Sequence, residues 1–396
     1  MKQRAGIEAG MGSVRLQEQE LAASASDVPR PAAGPAPGAA RRDPARRRVD
    51  GGWRTQHSFP TYAALDLGTN NCRLLIARPE PREPTPCGFK IIDSFSRIVR
   101  LGEGLSQSGQ LSEAAIERTL EALAVCKDKM QARNVTRARL IATEACRAAE
   151  NGEAFVGRVR DMLGLDLEIV DRETEAQLAA AGCASLADTS AESVLLFDIG
   201  GGSSEVIWLE RPTAMNNALL VERGLGERIP LWVSLKLGVV SLAEKFGGIE
   251  VTDQVFESMV TYVTTELREF AAGAAGLGRC GRFHLLGTSG TVTTIAGIYL
   301  NLARYDRRRV DGLWMSDEDV GRTVERLRKM SYHERVANGC IGPERADLVL
   351  AGCAILEAIR RAFPAERVRI ADRGLREGIL LQMMQADRAR SWTGPR

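Results

Sequence analysis

The sequence predicts an α/β fold built from one unit used twice, with two halves facing each other across a central cleft. Two turns carry the prediction. The apolar run Tyr62-Ala63-Ala64-Leu65 delivers Asp66-Leu67-Gly68-Thr69-Asn70-Asn71, and Val194-Leu195-Leu196-Phe197 delivers Asp198-Ile199-Gly200-Gly201-Gly202-Ser203-Ser204-Glu205. Each places a carboxylate at a strand end and follows it with a glycine-containing turn. A third observation supports them: after each turn the order strand, strand, helix, strand, helix recurs, with turn residues between the apolar runs.

In the first unit, Tyr62–Leu65, Arg73–Ala77 and Phe89–Phe95 read as strands of an antiparallel start. Ser112 caps a helix whose apolar face runs Ile116, Leu120, Leu123 and Ala124 at helical spacing. Arg139–Ala142 is a short buried strand and Glu144–Ala149 opens a helix. Leu167–Val170 is a further strand, and a helix follows from Glu173 to Ala187. The plan restarts at Val194, with strands at Val194–Phe197, Ser204–Leu209 and Leu219–Arg223. Helices are expected at Leu231–Phe246 and Asp253–Ala272, then a strand at His284–Leu286 that ends in Gly287-Thr288-Ser289-Gly290-Thr291 and a helix. The remainder reads as helices at Asp317–Met330, Pro343–Ala362 and Arg373–Ala386, the last after the strand Val368–Ile370. The division that follows is a tail at 1–57, halves at 58–189 and 190–387 with the terminal helices in the second, and a flexible tail at 388–396.

Composition narrows the class. A chain of 396 residues with 44% hydrophobic content can bury two sizeable cores. The apolar stretch Leu348–Leu356 is too short to span a bilayer and reads as a buried helix. Ten Lys/Arg against six Asp/Glu make the first 57 residues about +4, so the body is slightly acidic and carries no electrostatic footprint for nucleic acid. Eight cysteines without a C-x-x-C pair, among them Cys126, Cys146, Cys183 and Cys353, read as small core residues of a reducing cytoplasm. Three scattered histidines do not build a metal site. The tail is dominated by Ala, Pro, Gly and Ser before Arg46-Arg47-Arg48, cannot bury enough apolar surface to order itself, and reads as disordered. It lacks the apolar core of a secretory signal, and Glu8, Glu18 and Glu20 disfavour an organellar presequence.

Three consecutive glycines lose more backbone entropy on ordering than any other triplet. That loss is tolerable where something must approach the main chain closely, and a phosphate cradled by N–H groups is the usual reason. Gly200, Gly201, Gly202, Ser203 and Ser204 then supply backbone and hydroxyl donors, faced by Thr69, Asn70 and Asn71 from the other half. Gly287, Ser289, Gly290 and Thr291 form a third donor loop at a helix N-terminus, where the dipole favours anions. Arg147 offers a fork of donors that suits a phosphoryl group. Read without context, Glu175 is a helical glutamate on a solvated face, Asp198 a turn cap, and Arg73, Arg100 and Arg147 ordinary ion-pair partners.

The motifs together resemble a known family. The turns at Asp66 and Asp198 are similar to the two phosphate motifs of the actin/Hsp70/sugar-kinase superfamily. Ala142-Thr143-Glu144-Ala145-Cys146-Arg147, Glu173-Thr174-Glu175-Ala176, Leu286–Thr291 and Ala371-Asp372-Arg373-Gly374-Leu375-Arg376-Glu377-Gly378 resemble the exopolyphosphatase/guanosine pentaphosphate phosphatase (Ppx/GppA) family from Thr61 to Gln382. The resemblance implies a duplicated ribonuclease H-like (actin-like ATPase) fold, and no extra C-terminal helical domain of the kind longer members carry. It implies Mg²⁺-dependent hydrolysis of the terminal phosphoanhydride bond of inorganic polyphosphate, with guanosine pentaphosphate (pppGpp) as the alternative substrate. By resemblance Glu175 is the base that takes the proton of the attacking water, Arg147 contacts the phosphoryl group, and Asp198 and Glu205, helped by Asp66, hold Mg²⁺. A homodimer without nucleic-acid or membrane partners is the implied setting.

Two positions depart from the pattern. Gln177 stands where members often carry Arg, which removes one fixed charge near Glu175, and Asn71-Cys72 alters turn packing. Gly276-Leu-Gly-Arg-Cys-Gly281 matches a dinucleotide fingerprint but precedes a strand instead of following one. The basic stretch Arg304–Arg309 with Tyr305 is expected to line a channel for a long polyanion. Other classes are an ATP-driven kinase or chaperone of the same superfamily, against which the Gly-Thr-Ser-Gly-Thr loop argues, and a non-catalytic nucleotide sensor in which Glu175 is dispensable.

Overall fold

The strands that carry the two turns lie at the centres of two separate sheets. A computed structural model describes residues 60–80, 88–210, 229–276 and 282–392. The N-terminal tail, the strand expected at Leu219–Arg223 and most of the dinucleotide-like stretch lie outside them.

The first half contains β1 (Tyr62–Leu67), β2 (Asn71–Pro79), β3 (Phe89–Ile98), α1 (Leu105–Ser108) and α2 (Glu113–Ala132). It continues with β4 (Arg137–Ala142), α3 (Glu144–Ala148), α4 (Gly152–Leu163), β5 (Leu167–Ile169) and α5 (Arg172–Cys183). The second contains β6 (Ser193–Ile199), β7 (Ser204–Glu210), β8 (Leu231–Leu235), α6 (Val239–Phe246), α7 (Asp253–Gly276), β9 (Phe283–Thr288) and α8 (Gly290–Tyr299). It ends with α9 (Arg307–Val310), β10 (Trp314–Ser316), α10 (Asp317–Lys329), α11 (Tyr332–Ala337), α12 (Val349–Ala362), β11 (Arg367–Ala371) and α13 (Leu375–Trp392).

The duplication is visible in the topology. One sheet runs β3-β2-β1-β4-β5 and the other β10-β11-β9-β6-β7-β8. In each, the first strand pairs antiparallel with the second and parallel with the fourth. Leu231–Leu235, expected as the start of a helix, is instead strand β8 beside β7. Leu231-Trp232-Val233-Ser234-Leu235 is too short for its apolar spacing to separate the two readings, and sheet pairing decided.

Each sheet has a core on its outer face, built with α2 and α4 on the first and with α6, α7, α8, α10 and α12 on the second. The inner faces are covered crosswise. From the first half, α5 lays Ala176, Ala180 and Cys183 on Val194, Leu196 and Ile207 of the second sheet. From the chain's end, α13 lays Leu375, Ile379, Leu380 and Met383 on Ala64, Leu75 and Ile141 of the first. The two helices touch along their backbones: a Cβ on Gly182 would lie 1.9 Å from the Gly374 oxygen, and one on Gly378 would lie 2.0 Å from the Leu178 oxygen. This crossing places the N-terminal turn of α5, and with it Glu175, at the floor of the cleft.

The expected helix at Pro343–Ala362 begins only at Val349. The carbonyl of Ala346 accepts from buried Arg335 (3.0 Å), so residues 343–348 form turns that carry Arg345 and Asp347 across to the first half. There Arg100 meets Asp347 with two hydrogen bonds of 3.0 Å, and Glu244 accepts from the Gly104 amide (2.9 Å) and the Ser106 hydroxyl. Arg100 is thereby committed to holding the halves together. Among the described residues no helix is long and apolar enough to cross a membrane.

Candidate active site

Strand register sets the first layer of the site. Antiparallel pairing puts Asp66 opposite Arg73 across β1 and β2, and Asp198 opposite Glu205 across β6 and β7. Directly opposed residues share a face. The same position in the two copies therefore offers an acid–base pair from one half and two acids from the other.

Both turns hold their carbonyls away from the cleft. Thr69 oxygen accepts from the Gly102 amide (2.9 Å), and Asn70 oxygen accepts from Val99 (2.9 Å) and Arg100 (3.1 Å). In the second half, Gly200 oxygen accepts from Val239 (3.0 Å) and Gly201 oxygen from Val240 (2.8 Å) at the start of α6. In a trans peptide the N–H points opposite to the C=O of the same plane. The amides of Asn70 and Asn71, and of Gly201 and Gly202, are accordingly directed away from those anchors, where both loops line one cavity of about 130 Å³. The loops also meet: a Cβ on Gly201 would lie 2.9 Å from Thr69 Cβ, and one on Gly202 would lie 2.6 Å from Thr69 Oγ1. Two of the three glycines are needed for this approach of the halves as much as for any ligand.

A third wall comes from the start of α8. Ser289 has φ of 121°, a conformation that strains a side-chain-bearing residue by about 1–3 kcal/mol. Its hydroxyl accepts from the Thr291 amide at 3.2 Å. A Cβ on neighbouring Gly290 would lie 3.6 Å from Arg345 Nη1 and 3.8 Å from Arg73 Nη2. Two guanidinium groups thus stand at a helix N-terminus, and neither has a hydrogen bond or ion pair among the described residues.

Four carboxylates face this wall. Glu175 sits in the first turn of α5, where Asp171 caps the helix by accepting from Thr174 (2.7 Å). Burial pushes Glu175 up to about 7, against the pull of Arg147 and with help from Asp66 and Asp198. Burial and the charge of Asp66 raise Asp198 to about 6, while Arg73 opposes. Asp66 is raised by burial and relieved by Arg73 and Arg376. Glu205, 2% exposed, is pushed well up by burial and by Glu175 and Asp198, although it accepts from the Ser234 hydroxyl (2.8 Å). Among the described residues no three His, Cys, Asp or Glu side chains converge tightly enough to form a closed metal cage.

The cavity is lined by Asp66, Thr69, Asn70, Asn71, Glu175, Asp198, Gly200, Gly201, Gly202, Ser203, Glu205, Ser289, Gly290 and Thr291 from the expected set. Three expected residues are elsewhere. Gly287 lies inside β9, where a Cβ would lie 2.6 Å from the Phe197 ring, so its smallness serves core packing. Strand alternation turns the Ser204 hydroxyl away from the face that Glu205 occupies, and it is buried there without a hydrogen-bond partner among the described residues. Arg147 is spent on carboxylates: Nε and Nη2 bond Glu144 (3.0 and 2.6 Å), Nη1 bonds the Val170 oxygen (2.5 Å), and Nη2 bonds Glu175 (3.0 Å). Its fork does not reach the cavity and instead holds Glu175.

Of the charged residues that line the cavity, Arg345 is the one that sequence reasoning missed; the charged run Glu344-Arg345-Ala346-Asp347 before an apolar helix was the only signal. Gln177 is half-buried and donates to Glu173 (3.1 Å). The small cavity shares Asp66, Arg73, Asp198, Ser289, Gly290 and Arg345 with a second one of about 680 Å³, which Arg97, Tyr305, Arg307 and Arg376 also line. Arg307 there is already paired with Glu377 (2.9 Å), and Tyr305 donates to Asp372 (2.6 Å).

Residues 76–387 match the model of a family described as the Ppx/GppA phosphatase family. A Photobacterium profundum protein named guanosine-5'-triphosphate,3'-diphosphate pyrophosphatase is 28% identical over 335 residues, 82% of this chain but only 59% of its own length. Exopolyphosphatase 2 of Mycobacterium tuberculosis is 26% identical over 343 residues, 81% of this chain and 98% of that protein. The solved structure of an Aquifex aeolicus Ppx/GppA family member matches with a TM-score of 0.65 at 26% identity, covering 83% of this chain and 99% of its own.

Proposed function

Because the chain belongs to the Ppx/GppA phosphatase family, we propose that it is an exopolyphosphatase, which hydrolyses the terminal phosphoanhydride bond of inorganic polyphosphate and releases orthophosphate. The observation that carries this reading is Glu175, a base-type carboxylate lining the same small cavity as three donor loops and two arginines whose guanidinium groups have no hydrogen bond or ion pair among the described residues. Phosphoryl transfer is mostly positioning plus electrostatics, and these are the parts it needs. The polymer is favoured because the small cavity continues into a larger one lined by Arg97 and Arg376, which offers room and cations beyond the cleaved bond. The same 680 Å³ also suits a nucleotide, so pppGpp hydrolysis is the second reading.

The donor set fits Mg²⁺. Asp198 and Glu205, with Asp66 nearby, give only oxygen donors, carry raised pKa values that a cation relieves, and leave room for the waters this ion retains. When bound, Mg²⁺ neutralises and polarises phosphoryl oxygens. The chain's own groups do the rest. The amides of Asn70, Asn71, Gly201 and Gly202 and the hydroxyls of Ser203, Ser289 and Thr291 donate to phosphate oxygens, and Arg73 and Arg345 pair with their charge. Glu175, ionised, accepts a proton from a water that attacks the terminal phosphorus, and the bridging oxygen departs with the shortened polyphosphate. Arg147 positions Glu175. The proposed setting is the cytoplasm, where the six buried free thiols among the described residues are at home, with a homodimer as the proposed assembly.

Phosphate release from long-chain polyphosphate and from pppGpp, each with Mg²⁺, tests the reading. Faster release from the polymer is expected; faster release from pppGpp replaces it with the second reading, and inertness toward both removes the substrate class. Arg345→Ala is expected to lower kcat/KM for polyphosphate about 10- to 100-fold, mainly through KM, the worth of a charged hydrogen bond. An unchanged KM would take Arg345 out of the substrate site.

A further inference from the structure

Behind Glu175 lie two side chains that touch no part of the cavity. Glu144, 7% exposed, opens α3, and Arg172 opens α5. Arg172 Nη2 donates to both Glu144 oxygens (2.8 and 3.0 Å), and Arg147 donates to Glu144 through Nε and Nη2. Arg147 Nη2 is shared, at 2.6 Å from Glu144 and 3.0 Å from Glu175. Two helix N-termini thus contribute one Glu and one Arg each, three residues apart, in an open chain of alternating charge that runs from Arg172 through Glu144 and Arg147 to Glu175. The methylene next to the Glu144 carboxylate also lies 3.3 Å from where a Cβ on Gly202 would stand, against the loop of the other half.

We infer that Glu144 and Arg172 are positioning residues that act through Arg147 on Glu175, setting how much of the Arg147 charge the base receives. The inference rests on Glu175 being the base. Glu144 competes with Glu175 for one nitrogen, and Arg172 relieves that competition by neutralising Glu144. Other charges facing Glu175 are Asp66 from β1, Asp198 from β6 and Glu205 from β7, while Arg376 and Glu377 from α13 act on Asp66. None of these is altered by changes at residues 144 and 172.

The two single variants should therefore move the base in opposite directions. Glu144→Gln removes the competing anion, so Glu175 ionises more readily and the acid limb of the kcat/KM profile shifts to lower pH. Arg172→Gln leaves Glu144 leaning on Arg147 alone, so the limb shifts to higher pH. A shift of about half a pH unit or more is expected in each case, for charges one neighbour removed from the base. Arg172→Lys keeps a point charge where a single nitrogen already serves both oxygens, and should return the limb toward its native position. The profiles are measured with long-chain polyphosphate and Mg²⁺, alongside Glu175→Gln. If Glu175→Gln stays active, the reading of the base fails first. If Glu175→Gln is inactive while the two variants shift the limb in the same direction or not at all, the network is structural and the inference is overturned.

Discussion

Glu175→Gln is expected to lower phosphate release about 100- to 10,000-fold, the range a positioned general base contributes. The substitution keeps the shape of the side chain and removes its charge. Because burial raises Glu175 far above an ordinary glutamate, its ionised form is the unfavourable one in the apo fold, and Gln relieves that burden. The loss should therefore appear in kcat, with an undiminished melting temperature. In the native chain the base works only when ionised, so activity should climb as pH rises through about 7, where Glu175 titrates. The glutamine variant should lose that climb. A variant retaining more than a tenth of native activity would show that the attacking water surrenders its proton elsewhere.

Asp198→Asn should abolish activity while making the metal-free protein more stable at alkaline pH. The folded carboxyl titrates near 6 against an ordinary 3.8. The native state thus holds this proton more tightly than the unfolded chain does. The stabilisation is complete below the ordinary value and is lost as pH rises through about 6. At pH 8 with a chelator, the ionised group disfavours the fold by about 1–3 kcal/mol, which asparagine removes. The variant should melt above the native chain at pH 8, and the gap should narrow toward pH 4. Added Mg²⁺ should raise the native melting temperature and leave the variant nearly unchanged. If the variant melts lower at both pH values, Asp198 is a structural acid and the proposed cation site loses its main ligand.

Both expectations use residues that were legible in the sequence, and the reason is local. Asp66 and Asp198 end short apolar strands and precede glycines, and that pattern exists within a dozen residues. Glu175 follows an N-capping Asp171 by four positions, which fixes it in a first helical turn. The repeat of strand order was legible for the same reason, since each unit carries its own signals. Leu231–Leu235 was not, because so short a stretch of mostly apolar residues is compatible with either element until a neighbouring strand pairs with it. Residues 343–348 were misread as helix because Arg335, which takes their carbonyl, is buried by packing that no nearby residue announces.

By itself the sequence determined the doubled α/β topology, the two carboxylate turns and the helical carboxylate between them, all of which arise from short-range backbone preference and apolar spacing. Tertiary structure alone decided what faces the cavity. Strand alternation together with sheet position turned Glu205 in and Ser204 out, and packing against Phe197 made Gly287 a core residue. Arg147 was drawn onto Glu144 and Glu175, while Arg345 arrived at the cleft from a segment more than a hundred residues beyond the second turn. A long cation's role depends on which opposite charges lie within a few ångströms of it, and the distances between segments remote in the chain are set by folding.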